Sequence, residues 1–376
     1  MTGLSRARTL LWVLAGGLIG LSLAFPLGQG VPAGPRELPL PGLILTAGCL
    51  AVAVYGRLDL RRLALVLTLL GVGAAGLLAT VHRPDVAGAA AAGFWLEVLG
   101  LWLAAWLAVD ALAELDVPEP RLRRTVDLLV PLAFGAVILF LWEAVTVGFG
   151  VPSVLMPSPS AIGARFLGSL PTLRDDFVQT FMKAVLAGWA LGCGSGLLVA
   201  ILADAVPFLR RGLLPLGNLM AALPIVGVAP IMVMWFGFDW QSKAAVVVVM
   251  TFFPMLVNAS AGLAAAGPME RDLMRSYGAG WLATLIKLRL PAALPFLFNA
   301  LKINSTLALI GAIVAEFFGT PIVGMGFRIS TEVGRMNLDM VWAEILVAAL
   351  AGSAFYALLA LIERLATFWH PSYRDG

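Results

Sequence analysis

The chain has 376 residues, 60% of them hydrophobic and only 12% charged, with a formal net charge of +3 at pH 7. An average soluble domain carries roughly 25% charged residues, so this composition excludes an ordinary soluble enzyme, which needs charge to cover its surface. The net charge is too small to point to nucleic acid, and the apolar runs are continuous rather than alternating, which argues against a β-barrel.

Apolar runs near the ~20 residues needed to cross hydrocarbon recur along the chain and predict an all-α polytopic membrane protein. The first, Thr9–Leu27, follows Arg6 and Arg8 and resembles a secretory signal. It is longer than the usual apolar core of such signals, about 7–15 residues, and no small-x-small cleavage site follows, so it reads as a retained span. Three more follow at Pro39–Tyr55, Leu63–Val81 and Ala89–Leu112. The stretch Asp116–Thr125, DVPEPRLRRT, then reads as a charged linker. Beyond it lie Val126–Phe149, Ala184–Val206, Leu213–Trp235, Ala244–Ala266, Phe296–Phe318 and Val341–Leu365. The expected organisation is therefore a four-span extension over residues 1–115 with no assignable role, a linker over 116–125, and a six-span domain over 126–376.

Placing the N-terminus in the cytoplasm puts about twice as many Lys and Arg inside as outside, spread over every inside loop, as the positive-inside rule requires. The inside set is Arg6 and Arg8, Arg57 to Arg62, Arg121 to Arg124, Arg210 and Arg211, Arg271 to Arg289, and Arg364 and Arg374. Both termini are then expected in the cytoplasm.

One inside segment is unlike a simple loop. Arg271–Pro295 reads RDLMRSYGAGWLATLIKLRLPAALP. Met269–Tyr277 holds good helix formers, with Glu270 and Asp272 early and Arg275 late, as the helix dipole favours. Gly278 can adopt a positive φ and end that helix. Trp281–Leu290 predicts a second helix, with Pro291 marking the turn into the next span. Leu273, Met274, Tyr277 and Trp281 then offer an apolar face. These residues alone fit either a docking surface or an amphipathic hairpin resting on lipid.

The segment resembles the EAA signature of permease subunits of bacterial ABC importers. Asp272, Leu273 and Met274 stand at its acidic-plus-two-alanine positions, Gly278-Ala279 at its glycine, and Leu290-Pro291 at its distal pair. LMPSPSAIGARF, LPIVGVAPIMVMWFGFDWQSK, FFPMLVNASAGL, AEFFGTPIVGMGF and LIERLATFWHP are similar to the nitrate/sulfonate/taurine branch. Leu273 and Met274 are bulkier than the alanines of that signature, and Asp239-Trp240 stands where the branch often has a glycine.

The resemblance implies a type I importer permease fold of about six spans, preceded here by about four extra helices, acting as a dimer in the bacterial plasma membrane. It implies a cytoplasmic ATPase partner gripping the segment around Asp272–Trp281, and an extracytoplasmic solute-binding protein delivering a small anionic or heterocyclic solute. The ATP would be used by the partner, with no cofactor bound to this chain; no GxxxxGK[ST] phosphate loop occurs in it.

Pro224 and Pro230 interrupt an apolar run and, with Trp235, Asn258, Asn304 and Glu316, are the candidate pathway or gate residues. Glu316 precedes the glycine-bearing GTPIVGMG and is expected at a gate or dimer contact, or in an interhelix hydrogen bond. GWALGCGSG, Gly188 to Gly196, reads as helix packing rather than a dinucleotide loop. Cys49 and Cys193 read as buried small residues, and His82 and His370 as interfacial polar groups. The alternatives are an ion-coupled secondary transporter or channel working through Glu143 or Glu316, which leaves the Asp272–Pro291 motif unexplained, and a membrane scaffold that has lost transport.

Overall fold

A computed structural model describes residues 3–28, 47–49, 60–115, 117–206, 208–209, 211–213, 215, 224–319 and 322–369. Helices dominate and no strand occurs among the described residues. Among the described residues, seven helical runs are long and apolar enough to cross a membrane, and Ala7–Ser22 and Ile225–Phe236 are shorter apolar helices. The backbone separates into two compact units, Met1–Gly163 and Ala164–Gly376.

In the first unit, α1 (Gly3–Ser22), α2 (Leu60–Val81), α3 (Ala92–Ala113) and α4 (Pro120–Gly148) surround a core that includes Ile19, Leu63, Phe94, Leu101 and Leu112. α3 is the centre, packing on the other three. Arg8 ties α1 to the end of α3 through Asp110 and Glu114 at 2.9 and 2.6 Å, but the pairs are exposed and contribute little. The expected span Pro39–Tyr55 lies outside the described residues apart from 47–49, which are helical. Part of the expected linker is helix: Pro120 stands at the start of α4, where its missing N–H costs nothing. His82 behaves as an interfacial group, its Nδ1 on the Leu78 carbonyl at 2.8 Å and its Nε2 3.0 Å from Glu143. Glu143 also accepts from the backbone N–H and hydroxyl of Ser160.

After α5 (Pro159–Gly168), the second unit contains α6 (Leu170–Phe177), a π-helical segment (Val178–Val185) and α7 (Leu186–Ala205), which form one continuous run. α8 (Ile225–Phe236), α9 (Trp240–Ala264) and α10 (Pro268–Ser276) follow. α11 (Trp281–Thr284), a second π segment (Leu285–Arg289) and α12 (Leu290–Glu316) form another continuous run, before α13 (Met325–Gly334) and α14 (Leu338–Ala366). Of the expected span Leu213–Trp235, the part from Ile225 onward is α8.

α9 is the central helix, flanked by α7 and α12. Gly188, Gly192 and Gly196 let α7 lie on it: a Cβ at Gly192 would sit 2.0 Å from Thr251 Oγ1, and one at Gly196 2.6 Å from the Phe252 carbonyl. This is small-residue packing, which lets van der Waals contact hold helices together in a solvent as apolar as their side chains. Cys49 and Cys193 are buried thiols.

Pro291 does not turn the chain, contrary to the expectation. Helix runs unbroken from Trp281 to Glu316. Proline has no N–H to give, and the π segment just before it widens the hydrogen-bond register, so Pro291 falls in the first turn of α12.

Candidate functional site

The charged segment forms a helical hairpin. Pro268 opens α10, Glu270 lies in its first turn and Arg275 in its last. Its end is a Schellman closure: the Gly278 N–H donates to the Arg275 carbonyl at 2.9 Å and the Ala279 N–H to the Met274 carbonyl at 3.0 Å. Gly278 carries the positive φ this needs, +70°. Nothing lies within 4 Å of a Cβ built there, so conformation rather than crowding requires glycine.

Two arginines fix the hairpin to the unit. Arg271 Nη2 donates to the Ala264 carbonyl at 2.9 Å, and Arg289 Nε to the Leu263 carbonyl at 3.0 Å, so both cap the last turn of α9. Arg289 also forms a two-pronged ion pair with Asp204 at the end of α7, both side chains mostly buried. Removing one partner of such a pair would leave the other charge uncompensated. These residues were not singled out as a set from the sequence: Arg289 and Asp204 are 85 residues apart.

The hairpin is thus anchored at both arms and bare between them. No residue of α10 is buried. Tyr277 is 81% exposed and Leu273 56%, and Met269, Trp281, Leu282 and Ile286 are exposed as well. Met274 and Ala279 are half-buried. Asp272 reaches only Arg275, at 3.5 Å, with both side chains open to solvent, an interaction worth little. Leu290 and Pro291 are half-buried at the start of α12. The hairpin therefore carries an exposed apolar patch on a firmly held helix, with a solvent-exposed carboxylate beside it.

The sequence pattern described as "Binding-protein-dependent transport system inner membrane component" matches residues 192–368. A probable ABC transporter permease protein of Haemophilus influenzae is 31% identical over 222 residues, 59% of this chain and 90% of that protein. The chain belongs to the binding-protein-dependent permeases of ABC importers. The formylaminopyrimidine transport permease protein ThiX of Halalkalibacterium halodurans is 29% identical over 252 residues, 66% of this permease and 98% of the relative. The taurine transport system permease protein TauC of Escherichia coli is 26% identical over 250 residues, 64% of this permease and 90% of the relative. With the sulfonate and nitrate permeases that also match, these place it in the nitrate/sulfonate/taurine type. It is a multi-pass membrane component and not itself an enzyme.

The six candidate pathway residues of the permease do not share one surface. Pro224 caps α8 and is exposed, Pro230 lies inside α8, and Trp235 is exposed at its end. Asn258 folds back on its own helix, Nδ2 donating to the Pro254 carbonyl at 2.8 Å. Asn304 is fully buried, donating to the Thr251 carbonyl at 2.8 Å and contacting Cys193 Sγ at 3.2 Å, which joins α12 to α9 and α7.

Glu316 is also buried, and its hydrogen bonds hold the start of α13. Its carboxylate accepts the Thr180 hydroxyl at 2.7 Å and the Gly326 N–H at 2.6 Å. Thr180 Oγ1 accepts the Met325 N–H at 2.8 Å, while Asp176 accepts the Gly324 N–H at 2.6 Å and Arg328 Nε at 2.8 Å. Three side chains from neighbouring helices thereby satisfy the amides that open α13, which have no partner within it. Gly324 sits at φ +143°. Of the alternatives for Glu316, the geometry is that of the interhelix hydrogen bond.

The Asp239-Trp240 departure is accommodated locally. Asp239 caps α9, accepting from Trp240 N at 2.7 Å and Gln179 Nε2 at 2.8 Å. The Gln179 amide, then the Trp240 N–H, holds its carboxyl below the usual carboxylate range. Lys243 Nζ donates to the Phe238 carbonyl at 2.6 Å and pins the same turn.

Proposed function

We propose that α10 and the first turn of α11 are the surface gripped by a cytoplasmic ABC ATPase, and that the permease works as a homodimer fed by an extracytoplasmic solute-binding protein. The carrying observation is the exposed face of Leu273, Tyr277 and Trp281 on a hairpin that Arg271 and Arg289 fix to α9. A rigid, anchored helix transmits a push, and ATP-driven closure of the partner would bias an inward-to-outward equilibrium through contacts that differ between the two states. Asp272 is suited to meet a cationic group of the partner, and Leu273 and Met274 to fill a groove wider than alanines would need. The ATP is bound and spent by the partner.

Lysine and arginine placement supports both termini, and this hairpin, on the cytoplasmic side of a bacterial plasma membrane. Residues 126–376 act as the transport domain and residues 1–115 as an appended membrane module. Pro224 at the start of α8, and Pro230 and Trp235 on it, line the pathway, taking a small anionic or heterocyclic solute, as the names of the relatives for sulfonates, taurine and riboflavin suggest.

Proteoliposomes holding the permease, its ATPase and its binding protein separate this reading from an ion-coupled carrier. With labelled taurine and riboflavin as probes, uptake of at least one is expected only with ATP on the ATPase side. Uptake driven by a proton or sodium gradient with the ATPase left out would overturn it.

A further inference from the structure

The second unit holds a polar cavity of about 740 Å³, within the roughly 300–1,000 Å³ of small-molecule sites. It lies at the end of α9 opposite the hairpin: α9 starts beside it at Trp240 and ends at Ala264, whose carbonyl Arg271 caps. Its walls come from α6 and the π segment after it, the turn before α9, and the loop before α13. Four charged side chains line it, Arg174 and Lys183 against Asp175 and Asp239. With the signs balanced, neither a simple anion nor a simple cation is drawn by the net charge of the lining.

Gln179 keeps two of these charges apart. It is only 7% exposed, and its Oε1 accepts Lys183 Nζ at 3.0 Å while its Nε2 donates to Asp239 Oδ1 at 2.8 Å. Lys183 and Asp239 therefore stand on either side of one buried amide and are bonded to it, not to each other. Both keep capacity for a ligand. An ammonium has three N–H groups, and Lys183 gives one to Gln179. Asp239 takes the Gln179 and Trp240 bonds on the same oxygen, Oδ1, which leaves Oδ2 without a partner among the described residues. The side chains of Arg174 and Asp175 are exposed.

Charges of both signs, held side by side and not spent on each other, suit a ligand that carries both. A lone anion would leave two carboxylates facing it, and a lone cation an arginine and a lysine, and such like-charge contacts are costly. Phe238 and Val178 add apolar surface for the carbon chain that joins the two charges of the ligand.

We infer that this cavity binds a small zwitterion, its anionic group met by Arg174 and Lys183 and its ammonium by Asp239 and Asp175. The inference rests on the importer reading above. It puts a site at the end of the unit to which a binding protein would deliver, and narrows the solute to one that carries both charges.

A cysteine in the cavity wall tests it. Val178→Cys is placed in the full-length permease, whose own Cys49 and Cys193 are buried, and its reaction with N-ethylmaleimide is followed by mass spectrometry. The probes, at matched ionic strength, are taurine, hydroxyethanesulfonate, which has a hydroxyl in place of the ammonium, and ethylammonium. Taurine is expected to slow the reaction at concentrations about tenfold below either half-matched probe, the loss of one hydrogen bond to a charged group. Asp239→Asn retains an Oδ1 for Gln179 and Trp240 and is expected to bring taurine level with hydroxyethanesulfonate. Arg174→Gln is expected to weaken both sulfonates by about tenfold. Equal protection by taurine and hydroxyethanesulfonate before Asp239 is changed, or protection by neither, would overturn the inference. So would a cysteine that never reacts, the result expected if a second copy covers the cavity, or one shielded only by the binding protein, with or without solute. ATP-driven uptake is read separately in proteoliposomes. Uptake without protection sinks this site and leaves the importer reading standing, whereas protection without ATP-driven uptake does the reverse.

Discussion

Gly278→Pro is expected to abolish co-purification of the ATPase while leaving the permease in the membrane at wild-type levels. The Gly278 N–H closes α10 onto the Arg275 carbonyl, and the residue holds φ at +70°. Proline supplies no N–H and fixes φ near −65°, so neither the bond nor the turn can form. A left-handed position costs an ordinary residue about 1–3 kcal/mol, and the lost hydrogen bond about 1 more. The hairpin is exposed, so the cost falls on its angle and not on the fold. Gly278→Ala retains the N–H and has open space around it. It should cost about 1 kcal/mol and keep the partner. An affinity pull-down from bacterial membranes in mild detergent, with ATPase recovered per permease, checks both. Full recovery with the proline variant would mean that α10 is not gripped.

Glu316→Ala is expected to destabilise the second unit by about 2–6 kcal/mol, because it leaves the Thr180 hydroxyl and the Gly326 N–H buried without their acceptor, at about 1–3 kcal/mol each. Glu316→Gln keeps one oxygen and the side-chain shape, so about half that loss is expected. The effect should be non-additive with Thr180→Val, since both act on one network. Thermal unfolding in detergent, read by intrinsic fluorescence, gives the energies. A Gln variant with wild-type stability and no uptake would instead make Glu316 the gate that its position before GTPIVGMG suggested.

Much of the membrane architecture was legible because an apolar run of sufficient length has few other uses. Leu63–Val81, Ala89–Leu112 and Val341–Leu365 lie within a few residues of α2, α3 and α14. The end of α10 was legible from Gly278, since few residues other than glycine adopt its conformation readily. What failed was punctuation by proline. Pro120 stands in the first turn of a helix, where the N–H it lacks has no partner, and Pro291 lies inside a continuous helical run, directly after a π segment. The helical run from Leu170 also starts well before the expected Ala184, because Arg174 and Lys183 read as loop charges although they ride on helix.

The hairpin was legible differently. Its helix, break and apolar positions follow from residue chemistry, and its meaning came from resemblance to the EAA signature. Its anchoring did not, because Arg289 meets Asp204 and Leu263 across long stretches of chain that no local pattern connects. Asn304 and Glu316 were suspected as polar groups in apolar runs, but only packing decides whether such a group faces a pathway or a neighbouring helix. Here both face neighbouring helices.

The most direct test of the account replaces Tyr277 with a photo-crosslinking amino acid in cells that also express the partner proteins. Ultraviolet light is expected to join it to an ATPase subunit, identified by mass spectrometry. The same group at Leu65, on the exposed face of α2, should give no such product. Adducts to lipid alone at position 277, with the ATPase present, would contradict the account and leave the hairpin a segment that rests on the membrane.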